Sequence, residues 1–102
     1  MECGNAELDS LPELIKGDFD YFYHLAWDGT SKKLRGDVLI HESNILHTLM
    51  AVSAAHKLGC AAFVGAGSQA EYGRVGDVIS PDTCTNPEYA YAIAKLAAAR
   101  LS

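Results

Sequence analysis

The sequence predicts an α/β domain built on parallel strands, and three observations predict it. Two short apolar runs, at residues 20–27 and 60–66, are nearly continuous rather than alternating, as parallel strands covered on both faces are. Between them, over residues 37–58, lies the longest helical pattern of the chain. An alanine-rich stretch at residues 87–102 then supplies a closing helix. Strand, long helix and strand make a βαβ unit, which crosses over right-handed, with flanking helices on either side of it in sequence.

The elements follow in order. Ser10 is placed to cap a short helix, with Pro12 near its first turn and Glu13 three residues on. Leu11, Leu14 and Ile15 would face inward, and Gly17 would end it. The run from Asp20 to Trp27 is dense in aromatic side chains, which favour a strand. Asp28-Gly29-Thr30-Ser31 ends it as a turn. In the long helix Val38, Ile45, Leu49, Val52 and His56 fall at helical spacing, and Leu46, Met50 and Ala54 widen the stripe. Gly59 is its stop signal. The run from Cys60 to Ala66 reads as a second buried strand. Residues 67–86 form a loop rich in Gly, Ser, Pro and Asp. Loops longer than about 12–15 residues are usually functional, and this one leaves the carboxyl end of a parallel strand, where open α/β sheets bind ligands. Pro87 stands where the last helix can begin.

With 102 residues the chain makes one domain, spanning 1–102, with a core but a thin stability margin. A composition that is 49% hydrophobic and 21% charged is globular. A net charge of −5, with no basic cluster larger than Lys32-Lys33-Leu34-Arg35, argues against a nucleic-acid surface. No apolar run is long enough to span a membrane. The start, Met1-Glu2-Cys3-Gly4-Asn5, lacks the positive region and apolar run of a signal peptide. Three scattered cysteines, Cys3, Cys60 and Cys84, fit free thiols in a reducing compartment, so a cytoplasmic location is expected. His24, His41, His47 and His56 show no metal-ligand spacing with one another or with the cysteines. They read as surface or packing residues, and no metal is expected.

Chemistry concentrates in the closing helix. Tyr91 and Lys95 stand four apart and share a helix face. A lysine beside a phenol favours the phenolate, which suits a proton acceptor working near neutral pH. Taken alone the pair also fits an exposed helix face. Upstream, Ser68 follows the second strand and Gly67, where a serine can also serve as a turn cap.

Together these segments resemble a known family. Phe63-Val64-Gly65-Ala66-Gly67-Ser68 runs as a strand into a serine, Tyr72-Gly73 follows, and Tyr91-x-x-x-Lys95 comes at loop distance. Tyr23-His24-Leu25-Ala26 ends the first strand and Asn44 lies in the long helix. This pattern, over residues 18–101, is similar to the extended short-chain dehydrogenase/reductase group, and most of all to its NAD-dependent epimerase/dehydratase family acting on nucleotide sugars.

The resemblance implies a partial Rossmann-like, doubly wound parallel sheet and an NAD(P)-dependent enzyme, an isomerase or oxidoreductase. Ser68 matches the catalytic hydroxyl that bonds the sugar hydroxyl or keto oxygen. Tyr91 matches the base/acid, and Lys95 the lysine that binds the nicotinamide ribose and tunes Tyr91. Tyr89 is not the base, because only Tyr91 stands four before Lys95. Leu25, Ala26 and Trp27 match the strand end along which the cofactor passes, and Asn44 the asparagine near it. NAD or NADP is the implied cofactor and a nucleotide-sugar the implied substrate. A homodimer through helices 37–58 and 87–102 is implied as well, with Ile45, Leu49, Val52, Ile93, Leu96 and Leu101 serving either the core or the partner.

Two departures limit the implication. The family's first strand and glycine-rich turn, which cradle the cofactor pyrophosphate, have no counterpart here; Gly65-Ala66-Gly67 follows the wrong strand. The part that binds the nucleotide-sugar after the catalytic lysine has none either. The chain therefore reads as the middle segment of a longer family member, expected to bind NAD(P) weakly or not at all and to be inactive alone. In the 4,6-dehydratases of the family the catalytic hydroxyl is followed at once by Asp-Glu. Here Gln69-Ala70 follow, with Glu71 displaced by one, which favours an epimerase or keto-sugar reductase. The alternative is a non-catalytic NAD(P)-sensing or dimerisation module on the same fold. Such modules usually lose the tyrosine or the lysine, and both are present.

Overall fold

A computed structural model describes residues 5–102. A 3-10 segment, Asn5–Ser10, runs into the one-turn helix α1 (Leu11–Leu14). Next come β1 (Tyr21–His24), α2 (Val38–Lys57), β2 (Ala62–Gly65), a second 3-10 segment (Gln69–Tyr72) and α3 (Ala90–Leu101). β1 and β2 pair in parallel, Tyr21 opposite Ala62 and His24 opposite Gly65, with α2 as the connection. The βαβ unit is present and the fold is α/β. The second layer of helices that a doubly wound sheet carries is not among the described residues.

α2 begins where its sequence says it should. The Asp37 carboxylate accepts from the N–H groups of Leu39 and Ile40, both at 3.1 Å, satisfying donors that the first turn leaves open. His56 and Lys57 suit the negative end of its dipole. Gly59 follows at φ +74°, a conformation that only glycine takes without strain.

The buried face of α2 differs from the expected stripe. It consists of His41, Asn44, Thr48, Ala51, Ala54 and Ala55. Val38 and Leu46 are 68% and 57% exposed, and His56 is also on the outside. The cause is the partner helix. α3 packs along α2 and itself buries Ala92, Ala94 and Ala98. Among the described residues the buried hydrophobic ones are all alanines.

The strands are shorter than the apolar runs and are not covered on both faces. Phe22 and His24 are half-buried, whereas Tyr21 and Tyr23 are more than 60% exposed. α2 packs on the face that carries His24, whose Nε2 lies 3.4 Å from the Thr48 hydroxyl. Phe22 and Phe63, register partners, stack on each other at 5.7 Å. The opposite face, with Tyr21, Tyr23 and Val64, has no helix over it among the described residues.

Both ends also differ from expectation. The 3-10 segment feeds directly into α1, so Ser10 already has helical backbone (φ −94°, ψ −3°) and its side chain does not cap α1. α1 ends at Ile15 rather than Gly17, and Leu14 is 48% exposed. α3 starts at Ala90, after an extended Tyr89, and not at Pro87. The N–H of Tyr91, in its first turn, is taken by the Arg35 carbonyl at 2.9 Å, which fixes the helix start against the segment between β1 and α2. Cys60 and Cys84 are free thiols; Cys3 and the residues up to Gly4 lie outside the described residues. Among the described residues no helix is long and apolar enough to cross a membrane.

Candidate functional site

The carboxyl ends of both strands, the start of the 67–86 loop and the first turns of α3 converge on one region. α2 holds the exit of β1 there. The Asn44 carboxamide closes on Asp28 from both sides, its Oδ1 accepting from the Asp28 N–H at 3.0 Å and its Nδ2 donating to the Asp28 carbonyl at 2.8 Å. One turn earlier His41, 1% exposed, accepts from the Trp27 indole N–H at its Nδ1, 3.3 Å away. That bond leaves the ring proton on Nε2, which donates to the Leu34 carbonyl at 3.1 Å.

Tyr91 rests in this frame. Its ring meets His41 edge-on at 5.6 Å and Trp27 edge-on at 6.1 Å, and stacks on Tyr89 at 6.3 Å. The Arg35 guanidinium lies over it, 5.3 Å from the ring centroid. Arg35 is itself fixed by a 2.9 Å bond from its Nε to the Thr30 carbonyl.

Ser68 performs the capping role open to it. Its Oγ accepts from the Ala70 N–H at 3.2 Å, and Glu71 returns the bond, accepting from the Ser68 N–H at 2.7 Å. This capping box starts the second 3-10 segment. The cap uses an oxygen lone pair and leaves the hydroxyl proton to donate elsewhere. Just beyond, Gly73 stands at φ +67°, and a Cβ there would collide with the Asn86 carbonyl. The loop is closed at this point by the Asn86 N–H on the Glu71 carbonyl and by the Arg74–Glu88 ion pair at 3.2 Å.

Lys95 is 6% exposed. Its Nζ donates to the Ala66 carbonyl at 2.9 Å and lies 4.0 Å from the centroid of the Trp27 ring. Burial lowers its pKa, and the Glu71 carboxylate pulls it partly back up. His24 is lowered as well, by burial first and then by the charges of Lys95 and His47.

Two clefts result. Ser68 and Tyr91 line one of about 530 Å³, with Arg35, Gln69 and Tyr89. Lys95 lines another of about 460 Å³, with His24, Ala26, Trp27, Ala66 and Gly67. Trp27, in the lining of the second, meets both the Tyr91 ring and the Lys95 ammonium. Leu25 is 69% exposed and lines neither, and Asn44 is buried beneath the Asp28 turn. Sequence reasoning did not single out His41 and Arg35. For His41 a signal existed: His41, Asn44, Thr48, Ala51 and Ala55 are spaced by three and four, a helical stripe of polar and small residues. For Arg35 no local pattern marks the residue.

No curated protein and no solved structure matches the chain significantly. The family model that matches is that of the NAD dependent epimerase/dehydratase family, and it matches residues 1–102. The family is NAD(P)-dependent, its fold is Rossmann-like α/β, and the parallel strands joined through α2 are part of such a fold. The chain belongs to the NAD dependent epimerase/dehydratase family.

Proposed function

We propose that these residues carry the proton-transfer site of an NAD(P)-dependent epimerase or keto-reductase acting on a nucleotide-linked sugar. The observation that carries the reading is the cleft that Ser68 and Tyr91 both line; in this reading their hydroxyl groups meet one substrate oxygen there. Ser68 donates the proton its cap leaves free and orients that oxygen. Tyr91 takes up or returns the oxygen's proton, held in place by Trp27, His41 and Tyr89.

The second cleft fits the nicotinamide–ribose end of NAD(P). Ala26 and the Gly65-Ala66-Gly67 segment give it a floor of small residues. Lys95 commits one of its three donors to Ala66 and keeps the others for ribose hydroxyls. Leu25, Ala26 and Trp27 form the strand end beside it, and Asn44 fixes the turn that follows. When bound, the cofactor supplies the hydride chemistry; the protein supplies orientation and the proton path. Glu71 is held in the capping box, which supports epimerase or reductase chemistry over a dehydratase using that carboxylate.

A second reading, a non-catalytic NAD(P)-sensing or dimerisation module, is favoured by the exposed Val38, Leu46 and Ile93 on α2 and α3, and a homodimer through these helices belongs to either reading. The cytoplasm is the proposed location. No glycine-rich turn of the family type occurs in these residues, so the 102-residue chain alone is expected to bind NAD(H) more weakly than micromolar and not to turn over. Calorimetric titration with NAD(H) checks this, and micromolar affinity overturns it. The site itself is tested by Tyr91→Phe in a version that also carries the family's glycine-rich strand-turn-helix. Turnover of a nucleotide-sugar should vanish while the circular dichroism spectrum stays the same. Surviving activity means that Tyr91 is not the base.

A further inference from the structure

We propose that Arg35 binds a phosphate group of the ligand that occupies the Ser68/Tyr91 cleft. The inference rests on reading that cleft as a ligand site and adds to it the group that recognises the ligand's charge.

The lining of the cleft carries more positive than negative side chains, in an acidic chain. Its lining includes two guanidinium groups, Arg35 and Arg74, against one carboxylate, Glu88, whereas the whole chain carries −5. Arg74 and Glu88 neutralise each other in an ion pair, so Arg35 is the net charge that remains. It forms no salt bridge to a carboxylate among the described residues. Lys32 and Lys33, exposed in the same turn, add to the local positive field.

Arg35 is also preorganised. Its Nε is held by the Thr30 carbonyl, its plane by the Tyr91 ring, and its backbone carbonyl by the Tyr91 N–H. The terminal nitrogens of the fork remain for a ligand. A fixed guanidinium with two parallel N–H donors suits phosphate oxygens. An uncharged sugar alone gives no reason for such a group. The phosphate can belong to a nucleoside diphosphate, as in the proposed substrate, or to the dinucleotide, and the experiment separates the two.

The 102-residue chain is titrated calorimetrically with uridine diphosphate, with uridine and with NAD, in low and in high salt. Uridine diphosphate is expected to bind more tightly than uridine, with an affinity that falls as salt rises. Arg35→Gln should weaken it about tenfold, the scale of one charged hydrogen bond, and Arg35→Lys should restore only part, because the fork is lost. An Arg35→Gln effect confined to NAD assigns the phosphate to the cofactor instead. If neither ligand binds, or if Arg35→Gln with an unchanged circular dichroism spectrum binds both as tightly as the parent, the proposal is overturned. Retained binding in Arg35→Gln, together with loss of turnover in Tyr91→Phe, would leave the proposed function standing without Arg35.

Discussion

His24 shows how a single side chain ties the fold to pH. It sits on the α2 face of β1, with the Thr48 hydroxyl at 3.4 Å and the charges of Lys95 and His47 nearby. Burial first, and then the charges of Lys95 and His47, hold its pKa below the ordinary 6.5. As pH falls through 6.5 the unfolded chain takes up the proton before the folded one does. Stability therefore drops with falling pH and levels off once the pH is below the lowered folded value. Thermal melts between pH 7.5 and 5 should show this loss, and His24→Gln should reduce its slope. Equal slopes in the two proteins would remove His24 as the cause. Ser68 makes a different point at the same scale. Both of its sequence readings, cap and catalytic hydroxyl, were legible, and the cap is realised. The two are compatible because an accepted hydrogen bond does not use the hydroxyl proton.

Among the elements, the α2–α3 pair sets the geometry of the site. α2 holds the Trp27–Asp28 turn and α3 carries Tyr91 and Lys95, so their separation decides where these groups meet. Both helices bury alanines; Ala51 and Ala92 are both 0% exposed. Ala51→Leu should overpack the core beside α2 and destabilise the fold by about 1–3 kcal/mol, measured by urea denaturation. Leu46→Ala, on the outer side of α2, should change stability far less than a buried leucine does, within about 0.5 kcal/mol. A tolerated Ala51→Leu would show that the contact is loose. The limits of α2 were readable from Asp37 and Gly59, because capping is local chemistry. Its buried face was not. The large aliphatic residues of α2 suggested one face, and the close approach of α3 selected another.

On the scale of the molecule the chain is elongated. Its radius of gyration is 14.9 Å, with extents of 47 × 29 × 19 Å, against about 13 Å for a compact domain of this length. Large apolar side chains remain outside on two surfaces: Tyr21, Tyr23, Leu25 and Val64 around the sheet, and Val38, Leu46, Ile93 and Leu101 on the helices. Exposed apolar patches mark association surfaces. Sedimentation equilibrium should therefore give a mass above that of one chain, rising with concentration. Val38→Glu with Ile93→Glu, both beside the groove between α2 and α3, should return the monomer. If the mass stays high in the double variant, association runs through the sheet and not through the helices.

The sequence by itself determined the order of elements, the limits of α2, the parallel βαβ unit, and the family to which Ser68, Tyr91 and Lys95 point. These rest on local signals, such as caps, apolar runs and spacing, which act within a few residues. Only the tertiary structure decided which side chains meet. It turned Lys95 to the Ala66 carbonyl and the Trp27 ring, laid Arg35 over Tyr91, and made His41 the buried link between two points of the segment that joins β1 to α2. Such contacts join residues from distant parts of the chain, and they depend on how closely α3 lies against α2, a distance that no local pattern encodes.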